Sequence, residues 1–144
     1  MTNAIHILHP VDAATIQRVA AESLRSWLTG GTDPRRARRS VVLGAVLGSR
    51  GSGVPPLAAI RQAAFAAILA TAEIDDLALT AVAGGLFAGA VEAARSVGTD
   101  AGLAVWALRE GAREASEYLD PPEAERLRTL VASGSVPLAG RSAA

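Results

Sequence analysis

Four arginines stand within five residues, Arg35, Arg36, Arg38 and Arg39, directly after Asp33-Pro34. Guanidinium groups at that density can hold phosphate or carboxylate through charge-assisted, bidentate hydrogen bonds. Asp33 is a good helix cap and proline suits the first helical position, so the cluster opens a helix. There it opposes the macrodipole, which favours acidic residues at an N-terminus. The arginines therefore do not stabilise their own helix, and they are candidate contacts for nucleic acid, another anion or an acidic partner. The competing reading is a solvated face paired with acids of a neighbouring helix. No aromatic residue is interleaved with them, which argues against a single-strand stacking platform.

Other chemistry-bearing residues are sparse. His6 and His9 are the only histidines. On an extended arm their side chains diverge, and no HExxH pattern supplies a third ligand, so no metal site is expected. Glu73, Asp75 and Asp76 form a carboxylate cluster that helix capping alone explains. The glycines of GSRGSG, residues 48–53, do not have the spacing of a phosphate loop, and the chain contains no lysine. No cysteine is present, so thiolate chemistry and disulfides are excluded. No GxSxG elbow occurs. The expectation is no catalytic set and no cofactor.

The stretch LALTAVAGGLFAGAVEAARSV, residues 77–97, is apolar on every side until Glu92. A helix of that kind belongs inside a protein. Ala81, Gly85 and Gly89 are spaced by four, as are Gly84 and Ala88. A glycine within a helix costs about 1 kcal/mol against alanine, so these glycines must return something elsewhere. Two returns are open: a very close helix crossing, or an apolar pocket lined by Gly84, Gly85, Phe87 and Gly89. A second candidate surface is Leu103 with Trp106, on the flank of a later helix, where tryptophan suits a subunit contact.

These residues must be positioned by helices. Alanine is about one residue in five and β-forming residues are few, which predicts an all-α chain. Spacing and breakers predict helices over about 11–28, 34–48, 56–72, 77–97, 101–119 and 121–132. Trp27 continues the apolar stripe of the first. Asp75 or Asp76 caps the fourth. The predicted architecture is a compact bundle of five or six helices around the central apolar helix 77–97. Residues 1–10 form an arm, 11–133 one domain and 134–144 a flexible tail.

Fourteen arginines balance fourteen acids, for zero net charge. A neutral chain is not a bulk polyanion binder, so nucleic-acid binding would rest on the Arg35–Arg39 patch alone. The absence of lysine, with the alanine and glycine content, points to a bacterial source. The N-terminus lacks a signal-peptide pattern and no apolar run reaches the ~18–20 residues of a span, so a cytoplasmic protein is expected. Two largely apolar helices leave a shortage of cover in so small a domain, which predicts a homo-oligomer. The runs RRARRSVVLGAVL and AVEAARSVGTDAGLAVWAL resemble helices of the transcription-antitermination factor NusB. Here the basic helix stands second and the intervening aromatic landmarks are missing, so no membership is assigned.

Three functional classes follow. The first is a non-catalytic interaction or regulatory protein that self-associates and binds a protein partner. The second is a nucleic-acid or anion binder working through Arg35, Arg36, Arg38 and Arg39. The third is an enzyme or small-ligand carrier with an apolar pocket beside the glycines of the fourth helix. The first is preferred.

Overall fold

The computed structural model describes residues 12–74 and 79–134. Six helices occupy them: α1 (Ala13–Thr29), α2 (Pro34–Gly48), α3 (Pro56–Ile74), α4 (Leu79–Val97), α5 (Ala101–Ser116) and α6 (Pro121–Gly134). No strand occurs among the described residues. The protein is the all-α bundle that its alanine content and helical spacing predict. The histidine-bearing arm, the Asp75 and Asp76 cap and the tail from residue 135 lie outside the described residues.

Three of the helix starts are set by aspartate. Asp12, Asp33 and Asp100 accept the backbone N–H of Thr15, Arg36 and Leu103 at 2.8, 3.0 and 3.0 Å. Each satisfies an amide that the first turn leaves without a partner. Gly98, at φ +74°, turns the chain out of α4, and the next amide, Thr99 N–H, closes on Ala94 O at 2.9 Å. Helix α5 stops at Ser116, three residues short of the predicted 119. The amides of Glu117, Tyr118 and Leu119 bond three residues back, to Glu114, Ala115 and Ser116. The α-helical ladder thus tightens into a turn before Asp120-Pro121.

The Thr15 N–H bond lowers the Asp12 pKa below its ordinary value of 3.8. A depressed carboxylate stabilises the fold above the ordinary value, and the contribution is lost as pH falls through the lower folded value. Asp12→Ala is therefore expected to lower the melting temperature at neutral pH. The gap to wild type closes as pH drops below 3.8, as read from circular-dichroism melts across pH. A gap that is constant with pH would show that the carboxylate charge is irrelevant.

Two helices share the centre. Helix α4, the predicted hub, packs on α2, α3, α5 and α6, while α3 packs on α1, α2, α4 and α5. Both bury most of their length, and they do so largely with alanine and glycine. Ala59, Ala63 and Ala67 of α3 are fully buried, as are Ala90, Ala93 and Ala94 of α4. Small side chains let helix backbones approach closely. The larger core residues, Leu24, Ile60, Ile68, Leu86 and Leu108, fill the spaces between them.

The closest approaches are marked by glycine. A methyl group built on Gly85 would stand 2.3 Å from Arg35 O, and one on Gly89 would stand 2.6 Å from Arg39 O. Helix α2 therefore lies directly on α4. The same device joins α3 and α5, where a methyl group on Gly111 would meet Arg61 O at 2.3 Å. Ion pairs sit at the rims of these crossings: Arg39 with Glu92 at 3.6 Å and Arg61 with Glu114 at 2.7 Å. Such partly exposed pairs contribute at most about 1 kcal/mol each, so packing dominates.

Candidate functional site

The glycines of α4 are occupied by another helix. Gly85 and Gly89 face the backbone of α2, Gly84 meets the Arg35 side chain, and Phe87 is buried. Of the two returns left open by the sequence, the crossing fills the space that a pocket at Gly85 and Gly89 needs. Ala81 belongs to α4 by its backbone; its side chain is not among those described.

Formation of that crossing divides the arginine cluster. Arg38 is 1% exposed, which corrects its reading as a surface contact. Its guanidinium donates to Pro34 O at 3.2 Å and to Thr71 Oγ1 at 2.7 Å, and its Cβ lies 2.7 Å from where a Gly85 methyl would be. Arg38 thus ties α2 to α3 inside the bundle. Arg35, Arg36 and Arg39 remain exposed, Arg39 in an ion pair with Glu92 of α4. Four guanidinium groups adjacent in sequence do not converge on one surface, because a helix turns about 100° per residue and one of its faces is buried. Among the described residues, no group of three or more His, Cys, Asp or Glu side chains is placed to hold a metal ion.

The opposite face of α2 forms a concave surface. Helices α1 and α2 are joined by residues 30–33 into a hairpin, and a groove of about 250 Å³ runs between them. Its floor on α2 includes Ser40, Gly44 and Gly48, spaced by four. A methyl group built on Gly44 or Gly48 would meet nothing within 4 Å. The α1 wall carries Ile16, Val19, Ala20 and Trp27. Val19 is 47% and Trp27 37% exposed. Trp27 therefore stands on the groove rim instead of completing the α1 core stripe, whose buried members are Ile16, Ala20 and Leu24. All twelve lining residues are uncharged. An apolar rim over a floor of small residues is complementary to another apolar segment, and it offers no fixed charge for a polar substrate.

Leu103 and Trp106 are exposed, 51% and 55%, on the first two turns of α5. They are three residues apart and so lie on one helical face. This second apolar surface is separate from the groove lining.

Sequence reasoning missed the groove. The relevant signal was Ser40, Gly44 and Gly48 at a spacing of four, the pattern that drew attention to α4. Gly48 drew attention only within GSRGSG, and Gly44 not at all. No helix among the described residues is long and apolar enough to cross a membrane. No protein-family model, curated protein or solved structure matches the chain.

Proposed function

We propose that this protein is a non-catalytic helical interaction protein that receives an apolar helix of a protein partner in the α1–α2 groove. The observation that carries this reading is the open floor of Ser40, Gly44 and Gly48 beneath the exposed Val19 and Trp27. The molecule supplies its own precedent. At Gly85, Gly89 and Gly111 the backbone of a neighbouring helix rests directly on the glycine. Gly44 and Gly48 are prepared for the same contact and meet no other group. Helix-in-groove recognition of this kind draws its energy from apolar burial, and the uncharged lining suits a ligand helix with an apolar face.

The test places a photoreactive phenylalanine analogue at Val19 in the full chain within its native cell. Crosslinks are expected to map to one helical segment of a defined protein and to be lost when Gly44→Leu fills the groove. The added side chain has open space, so the fold is retained. Crosslinks that survive Gly44→Leu, or that scatter over unrelated proteins, would overturn the reading.

Self-association is the second part of the proposal, and Leu103 with Trp106 is the surface assigned to it. A pair of exposed apolar residues on one helical face supports an isologous contact with a second copy. Light scattering at micromolar concentration is expected to give a dimer, and Trp106→Asp a monomer of unchanged helicity. A wild-type monomer under those conditions refutes the dimer.

A further inference from the structure

We infer that the cleft between α5 and α6 binds a small organic monoacid, with its carboxylate on Arg109 and its apolar body on Leu127 and Val131. The site is separate from the α1–α2 groove and does not depend on a partner helix entering there. Three observations lead to it.

The first is an arginine without a counterpart. Among the described residues three arginines are not exposed: Arg38, Arg61 and Arg109. Arg38 donates to Pro34 O and Thr71 Oγ1, and Arg61 is held by Glu114 at 2.7 Å. Arg109 has neither a side-chain hydrogen bond nor an ion pair among the described residues, and its Nε is buried without an acceptor. A cation partly removed from water with no anion to face carries a desolvation cost, which a bound carboxylate offsets through charge-assisted hydrogen bonds. The second is the cleft beside it. A cavity of about 250 Å³ is lined by Arg109, Arg113 and Arg128 and by the buried Ala112, Leu127 and Val131. No carboxylate lines it. The third is charge and size. Arg113 is matched by Glu110 at 2.8 Å and Arg128 by Glu125 at 3.2 Å, each on its own helix. The charge of Arg109 is left over, which suits a monoanion. The lining covers residues 109–113 of α5 and 127–132 of α6, about 6–8 Å along each axis at 1.5 Å per residue. Little more than one turn is too short to seat a partner's helix and is the scale of a small molecule.

Neither half of such a ligand suffices alone. A neutral apolar body leaves Arg109 uncompensated, and a bare carboxylate gains little from a guanidinium that water still reaches. Together, apolar burial on Leu127 and Val131 supplies affinity, and the guanidinium fixes orientation and selects against neutral analogues. The α1–α2 groove, with its uncharged lining, makes no such selection.

Octanoate, kept below its micelle concentration at neutral pH, is the probe, titrated into the full chain labelled with nitrogen-15. It is expected to shift the Arg109 Nε–H signal and the amides of Leu127 and Val131 saturably, and to leave the Trp27 indole signal in place. Acetate and the neutral octanamide are expected to give no saturable shift at those positions. Arg109→Gln is expected to weaken octanoate binding on the order of tenfold, and Arg109→Lys, which keeps the charge, to weaken it less. Octanamide binding as well as octanoate, or an affinity unchanged by Arg109→Gln, overturns the inference. So does the absence of any saturable shift. Shifts centred on Trp27 overturn it too, because they place the probe in the α1–α2 groove. The comparison of octanoate with octanamide uses the wild-type chain, so it decides the matter even where a variant fails to fold.

Discussion

Gly85→Ala is expected to destabilise the protein by about 3 kcal/mol, a drop of roughly 10 °C in melting temperature for a chain of this size. In isolation the change favours the helix, because alanine exceeds glycine by about 1 kcal/mol in helix propensity. Packing reverses the sign. The new methyl would stand 2.3 Å from Arg35 O and 2.7 Å from Arg38 Cβ. A carbonyl oxygen within a helix cannot rotate away as a side-chain tip can, so α2 and α4 must move apart as bodies. Their buried surfaces, Val42 and Val46 on one side and Leu86 and Ala90 on the other, then lose contact together. Gly111→Ala is expected to behave alike, because its obstacle is also a backbone carbonyl, that of Arg61.

Gly44→Ala provides the control. Its methyl would meet nothing within 4 Å, so the propensity gain is unopposed and the protein should be stabilised by roughly 0.5–1 kcal/mol. Urea denaturation of the two variants at one temperature is the measurement. Shifts of the same sign would mean that the crossing at Gly85 is looser than its geometry indicates.

Arg38→Ala is the second large effect, expected to cost about 3 kcal/mol. The substitution removes a long side chain that is 1% exposed and two hydrogen bonds, to Pro34 O and Thr71 Oγ1. It leaves a void under the α2–α4 crossing and strands the Thr71 hydroxyl in the interior. Arg38→Lys is expected to recover only part of the loss. An ammonium on a flexible stem cannot reproduce a planar fork that reaches two acceptors on different helices.

Arg36→Ala, two positions earlier in the same cluster, is expected to fall within ±0.5 kcal/mol, as exposed substitutions do. A double-mutant cycle between Arg38→Ala and Thr71→Val measures the coupling directly; additive losses would dissociate the two residues. The contrast between Arg36 and Arg38 also bears on function. If the four arginines formed one anion-binding surface, they would share exposure. Instead Arg38 is interior, and of the three that are exposed Arg39 is paired with Glu92.

Much of this molecule was legible along the chain. Alanine at about one residue in five, the Asp33-Pro34 start, the Gly98 stop and the 3.6-residue stripes set six helices to within a few residues. These signals are local: caps, breakers and propensities act within one turn, so neighbours in sequence suffice to read them. The all-round apolar character of residues 79–91 likewise placed α4 in the interior. The end of α5 was less legible, because Tyr118 and Leu119 continue its apolar pattern while their amides have already turned back on Ala115 and Ser116.

What only the tertiary structure decided is which face each residue meets. Two sets of small residues at a spacing of four were equivalent on paper. One, Gly85 and Gly89, is pressed against a helix backbone; the other, Gly44 and Gly48, is open. Trp27, aligned with a core stripe, became a groove rim because the hairpin to α2 left that side of α1 uncovered. Arg38, one of four arginines alike in sequence, became interior because α2 turns that face towards α3 and α4. The physical reason is common to all three. A sequence determines the period of a helix and so which residues share a face, but burial depends on what is packed against that face. That is fixed by long-range contacts between helices, such as α2 with α4 and α3 with α5, which no local pattern encodes.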